Sequence, residues 1–222
     1  MRTTYTKIGS MLWLAIRFPH LPLNLFTRGQ SSRNMPVAVG DTIERRERII
    51  DCNPAALSGG VKPGMPLTAA LGILNDLQIV ERDPAAEQQA LRRLAAWCYQ
   101  YSSQVGILAD RAGLLLEAGA SERLFGGLPR LLEHVRREAD QLGHRVQLAV
   151  APTPTAASLL ARQRPGQVVR EPAGLAAAVS EISVGYLTRD ADTRELIRHL
   201  GLDSIGDALR LPRPELTRRT TP

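Results

Sequence analysis

Leu12-Trp-Leu-Ala-Ile-Arg-Phe18 is an apolar run in which Leu12, Leu14, Ile16 and Phe18 share one face and Trp13, Ala15 and Arg17 the other. A second apolar strand opens the stretch Gly113 to Gly127, followed by a small-residue turn and a Leu-Phe-Gly-Gly segment that starts a helix. Val105 to Ala109 and Val146 to Ala151 read as two more strands, the first joined to Leu114–Ala118 through the polar turn Asp110-Arg111. Helices fall between them. Asp83-Pro84 starts one, with Asp as N-cap, Pro at N1 and Glu87 in the first turn, and Leu91, Leu94, Ala95 and Cys98 give it one buried stripe. The other runs from Leu128 to Leu142, with Gly143 as its stop. The order strand, helix, strand, strand, helix, strand predicts an α/β (α+β) fold of the split βαβ, ferredoxin-like kind. Many unrelated functions use that frame, so the frame alone assigns none.

Two segments stand outside it. Pro19 to about Ile79 is rich in Pro, Gly, Ser and Asn with short apolar pieces at Met35–Val39 and Arg48–Asp51, and reads as a small insertion. After a helix at Thr153–Arg164 and the break Arg164-Pro165-Gly166, the pattern changes from about Ser180. Arg189 to Leu200 is predicted helical, then Gly201-Leu-Asp-Ser-Ile-Gly206 turns, and a second helix spans Asp207 to Leu211 before Pro212–Arg219.

Composition narrows the possibilities. A hydrophobic content of 44% supports a packed core and excludes a disordered chain. A formal charge of +6 fits a polyanion such as DNA without demanding one. Of the 28 basic residues only Lys7 and Lys62 are lysines; arginine suits bidentate phosphate contacts, and a genome rich in G and C gives the same bias. Cys52 and Cys98 make neither a disulfide framework nor a metal spacing, so a reducing cytoplasm is expected. The apolar run Met11–Ile16, cut by Arg17, is too short for a membrane span. His20, His134, His144 and His199 lack ligand spacing and are expected at the surface or its boundary. Met35, Met65, Trp13, Trp97 and Tyr101 are expected in the core or half-buried.

The strands Leu12–Phe18 and Gly113–Gly127, together with Pro36-Val-Ala-Val39, Cys52 to Ala70, Val150-Ala-Pro-Thr-Pro-Thr155 with Ala161-Arg162, and Leu200 to Gly206, resemble ImuB-type proteins. These are non-catalytic, UmuC-like relatives of the Y-family (translesion) DNA polymerases. The resemblance runs from about Leu12 to Arg219. It implies a palm over 11–18 and 78–171, a fingers-like insertion over 19–77 and a partial thumb over 180–222 with a helix-hairpin-helix-like element. It also implies a role in DNA damage tolerance within the SOS response. There the chain would bridge DNA, an error-prone replicative-type polymerase subunit, the sliding clamp and an accessory protein. No membrane is implied, and localisation would be cytoplasmic, on the nucleoid.

Phosphoryl transfer needs two divalent cations about 3.5–4 Å apart, clamped by carboxylates from neighbouring strands. By resemblance, the family's metal-ligand positions read Ala15, Arg17, Ala112 and Gly113, and its triphosphate-contact positions read Pro54, Leu57 and Pro154. Arginine repels metals, and neither proline nor leucine pairs with phosphate. The expectation is therefore a polymerase frame without catalytic residues or cofactor. An active translesion polymerase that holds Mg²⁺ through Asp110 and Glu117 is the first alternative, and a generic DNA-binding module the second. The Gly201–Gly206 turn, opening a helix, is expected to offer unpaired backbone N–H groups to a DNA phosphate, with Ser204, Gly206 and Arg210 as the contacts. Arg198, Arg213, Arg218 and Arg219 support that reading; simple packing of two helices is the other. Relatives continue beyond the thumb, so the ending Thr220-Thr-Pro222 suggests a fragment or frameshifted product whose DNA affinity is weak and salt-sensitive.

Overall fold

The computed structural model describes residues 11–27, 35–43, 45–108, 112–188 and 190–211. The turn Asp110-Arg111, the helix start at Arg189 and the segment Pro212–Arg219, with Arg213, Arg218 and Arg219, lie outside the described residues.

Four strands, β1 (Trp13–Arg17), β5 (Val105–Leu108), β6 (Gly113–Glu117) and β7 (Gln147–Ala151), form one sheet in the order β5-β6-β1-β7. Each neighbouring pair is antiparallel, with Ala15 opposite Leu115 on one side and Ala149 on the other. Helices α4 (Pro84–Cys98) and α5 (Leu128–Gln141) connect β1's half to β5 and β6 to β7. This is the split βαβ order.

The period of two seen in β1 divides the core as the sequence predicts. Leu12, Leu14, Ile16 and Phe18 pack with Leu91, Leu94, Cys98, Leu128, Leu131 and Val135 from α4 and α5. Ala15 faces the other way, onto α6 (Pro154–Gln163). Each fully buried Leu or Phe contributes about 1.5–3 kcal/mol, so the two-sided burial of β1 accounts for its place at the sheet's centre. Asp83 caps α4 by accepting the Ala86 N–H at 2.9 Å, and Thr153 caps α6 through Ala156. Glu138 ties α5 to α4 by accepting the Tyr101 hydroxyl at 2.6 Å and the Gln100 amide at 3.0 Å.

The insertion is a second sheet. β2 (Val37–Ile43) lies between β3 (Arg46–Cys52), antiparallel, and β4 (Gln78–Glu81), parallel. Helices α1 (Leu21–Thr27), α2 (Pro54–Ser58) and α3 (Leu67–Ile73) flank it. Gln78–Glu81 therefore pairs inside the insertion, past the division expected at 77. A parallel partner needs a crossover, and the α2–α3 segment supplies it.

After α6, residues 166–169 run along the outer edge of β7, where Val169 N–H donates to Val150. Helix α7 (Leu175–Val179), α8 (Ala191–His199) and α9 (Ile205–Arg210) follow. Asp190 caps α8, and α9 starts two residues before the expected Asp207 because Ser204 caps it. Among the described residues no helix is long and apolar enough to cross a membrane.

Two further expectations need correction. Met35 is 49% exposed. His144 is buried, its ring edge-on to Phe18 at 5.4 Å and its Nδ1 within 3.2 Å of the Asn24 amide. A hydrophilic-looking residue in the loop before β7 is thus swallowed where α1 closes over the palm.

Candidate functional site

β1 and β6 lie antiparallel with Arg17 opposite Gly113, which brings three of the four metal-ligand positions to one place. Ala15, Arg17 and Gly113 line a single gap on the α6 face of the sheet, together with Leu108, Ser158 and Arg162. The free space left is about 10 Å³, room for one water at most. Ala112 does not line it. Its backbone is left-handed, its carbonyl accepts the Phe18 N–H at 2.9 Å, and its side chain packs against the opposite core.

The charge in the gap is positive. Arg17 Nη1 donates to Gln147 Oε1 at 2.6 Å, and the Arg162 guanidinium lies 5.0 Å from the centre of the Tyr186 ring. Burial pulls the Arg17 pKa below its ordinary value; the charge of Arg162 pulls the same way, and Asp51 pushes back. A pair of divalent cations does not fit this donor set. Methyl groups and hydrogen stand where carboxylates are needed, and two guanidinium groups line the same space. Among the described residues no three His, Cys, Asp or Glu side chains are grouped so as to hold a metal ion.

Glu117, the acid of the polymerase alternative, lies at the other end of β6, opposite Trp13. It is buried, and its two oxygens accept the N–H groups of Gly119 at 2.9 Å and Ala120 at 3.2 Å. The carboxylate is occupied in holding the turn after β6. Its expected partner Asp110 lies outside the described residues.

The triphosphate positions separate. Pro54 and Leu57 border a cavity of about 580 Å³ between the insertion and the end of α5, with His20 and Arg145 on its walls. Pro154 is not among the residues that line it. Pro54 and Pro154 each occupy the first turn of a helix, where the missing N–H costs nothing. At the cavity's edge His20 Nδ1 meets Asp51 Oδ1 at 2.9 Å. The hydrogen bond to Asp51 raises the His20 pKa above its ordinary value despite burial and the nearby charges of Arg17 and Arg145.

The thumb turn is placed as expected but its donors are not free. Ile205 N–H donates to Ile182 O at 2.8 Å and Gly206 N–H to Ser180 O at 2.9 Å. Ser204 and Asp207 form a reciprocal capping box, Asp207 taking the Ser204 N–H at 2.9 Å. Arg210 Nη2 reaches Asp207 at 2.5 Å. The backbone N–H groups of Ser204, Ile205, Gly206 and Asp207 are thus taken within the chain, while the Arg210 side chain stays 77% exposed.

Sequence reasoning missed Arg162 as a member of the palm gap and His20–Asp51 as a link across the insertion. Ser158 and Arg162, four apart on a helix, carried a usable signal for the first. The second joins residues far apart in sequence and left none.

A four-stranded split βαβ sheet with an inserted second sheet and a helical appendage defines the class: a Y-family DNA-polymerase-like domain. The solved structures agree on the fold. An insertion ternary complex of Dbh DNA polymerase aligns with TM-score 0.72 at 18% identity, over 95% of this chain and 63% of that one. DinB from Sulfolobus solfataricus aligns at 0.66, again 18% identical over 95% and 63%. A Y-family DNA polymerase chimera built on Dbh aligns at 0.71 and 17% identity. Residues 27–162 match the impB/mucB/samB family, and the chain belongs to that family. Protein ImuB of Caulobacter vibrioides is 32% identical over 160 residues, 72% of this chain and 35% of that protein. DNA polymerase IV of Aeromonas hydrophila is 29% identical over 192 residues, 84% of this chain and 54% of that one. The chain thus spans about a third of the length of the first and about half of the second.

Proposed function

We propose that this chain is a non-catalytic, Y-family polymerase-like adaptor in mutagenic translesion synthesis and DNA damage tolerance. Its work is binding and positioning; nucleotidyl transfer belongs to a partner. The observation that carries the reading is the palm gap. Where a polymerase clamps two cations, Ala15 and Gly113 offer no ligand, and Arg17 and Arg162 fill the space with positive charge. DNA, an error-prone replicative-type polymerase subunit, the sliding clamp and an accessory protein are the proposed partners, in the cytoplasm and on the nucleoid.

Primer extension with purified chain and Mg²⁺ or Mn²⁺ tests the catalytic half. The expected outcome is no template-dependent product and no stoichiometric Mn²⁺ uptake by calorimetry. Extension that Glu117→Gln abolishes would restore the polymerase alternative. The binding half is tested by retention of the polymerase subunit on immobilised chain; DNA binding without such retention leaves the generic DNA-binding module.

A further inference from the structure

The β2–β3 hairpin of the insertion makes a groove separate from the palm gap, about 560 Å³ in volume. Arg45, Arg46 and Arg48 line it with Thr42 and Thr68, and Glu47 is the one acid among the described residues of its walls. Arg45 and Arg46 are exposed, and among the described residues neither is in an ion pair. Arg48 spends one N–H on the Gly64 carbonyl at 2.8 Å and keeps the rest of its guanidinium on the groove.

Arg45 has a local oddity. Ile43 pairs with Arg46, so Arg45 is the second residue of a two-residue hairpin loop, and its φ is 62°. Glycine adopts that left-handed backbone freely, whereas a side chain there meets steric resistance. The strained position puts a third arginine on the groove that Arg46 and Arg48 line. Arg46 and Arg48, two residues apart on one strand, stand roughly 6.6 Å apart along it. Cations set out in a row suit a chain of phosphates better than a single small anion, which needs donors that converge. The groove runs between the hairpin and the start of α3, with Pro66, Leu67 and Thr68 on its far side.

We infer that this groove holds the sugar–phosphate backbone of a single-stranded nucleic acid. It deepens the reading above and rests on it only in taking DNA as the polyanion the chain meets. Among the described residues no aromatic side chain lines the groove, so the contact is sequence-independent and salt-governed.

The test is fluorescence anisotropy of the whole chain with labelled oligo-dT between 50 and 200 mM NaCl, with inorganic polyphosphate as competitor. Three contacts predict a slope of log affinity on log salt of about −2, falling to about −0.7 in Arg45→Gly/Arg46→Ala. The double variant should bind about tenfold more weakly at the low-salt end. A charge-matched control on α4, Arg92→Ala/Arg93→Ala, should keep the slope. Arg45→Gly alone should melt at or above the wild-type temperature while binding more weakly, a combination that loss of folding does not give. An unchanged slope in the double variant overturns the groove and leaves DNA binding elsewhere intact. Polyphosphate binding without oligo-dT binding overturns the nucleic-acid assignment, and binding of neither overturns both.

Discussion

His20 shows how one residue reports on the join between insertion and palm. It stands just after β1, and its imidazole meets Asp51 of β3 at 2.9 Å. Asp51 also accepts the Cys52 N–H at 2.9 Å, and its second oxygen is buried with no hydrogen-bond partner among the described residues. Among the described residues His20 is therefore the carboxylate's one side-chain donor. The hydrogen bond to Asp51 lifts the His20 pKa above 6.5. A group raised on folding lends stability that is whole below its unfolded pKa and is lost as pH climbs through the folded one. Wild-type chain should therefore lose stability relative to His20→Gln on going from about pH 6 to pH 8. The imidazole is 48% exposed, so the loss should not exceed about 1 kcal/mol. Paired thermal melts at the two pH values measure it, and parallel curves for the two proteins would remove the pair from the account. Arg17, a few residues before, faces the opposite logic, since burial first and then the charge of Arg162 pull its pKa down. Its position is set by β1's register and Gln147.

At the scale of the element, α9 explains why Gly206 is glycine. A Cβ added there would meet the Ser180 carbonyl oxygen at 2.9 Å and the Ser180 Cβ at 3.2 Å. Backbone oxygen does not yield as a flexible side chain does, so Gly206→Ala should cost about 1–3 kcal/mol. Ser204→Ala should cost about 1 kcal/mol through loss of the cap. Urea melts followed by circular dichroism separate the two. If Gly206→Ala is neutral, the close approach of α9 to Ser180 is not a constraint on the sequence. The same element marks where sequence reading succeeds and stops. Local signals gave the second thumb helix, the Asp83 cap, and the alternation that sends Leu14 and Ala15 to opposite cores. Each is decided within a few residues. What the neighbourhood does not encode is which distant groups meet: Ser180 with Gly206, α6 with the palm gap, or β4 with β2. The glycine in the thumb turn was visible, but its cause was a contact from a segment 26 positions earlier. Ala15, Arg17 and Gly113 drew notice in the sequence through the family resemblance alone, and the pairing of β1 with β6 then brings them to one gap. Arg162 entered only through the packing of α6.

Across the whole molecule two cores must move as one or as two. The palm core and the insertion core share few apolar side chains. Arg82, just after β4, holds them together by charge. Its Nε and Nη2 grip both oxygens of Glu87 on α4 at 2.6 and 2.8 Å, and its Nη1 reaches Asp41 of β2 at 3.0 Å. Glu87 is 6% exposed, so a carboxylate in the first turn of α4 has been taken out of water on the strength of this partner. Removing one member of a buried pair costs more than the pair contributes, because the other is left charged and unsolvated. Arg82 itself is about a third exposed, which lets water reach the site and lowers the expected cost of Arg82→Met to about 2 kcal/mol. That loss should fall unevenly. Amide exchange should quicken in 37–81, where β2 and β4 lose their anchor, while β1 and β6, buried between helices on both faces, keep their protection. Conservative Arg82→Lys keeps a charge but not the fork, and should recover only part of the protection. Uniform quickening across both sheets would instead mean that insertion and palm unfold as a single cooperative unit, with Arg82 merely one stabilising contact among many.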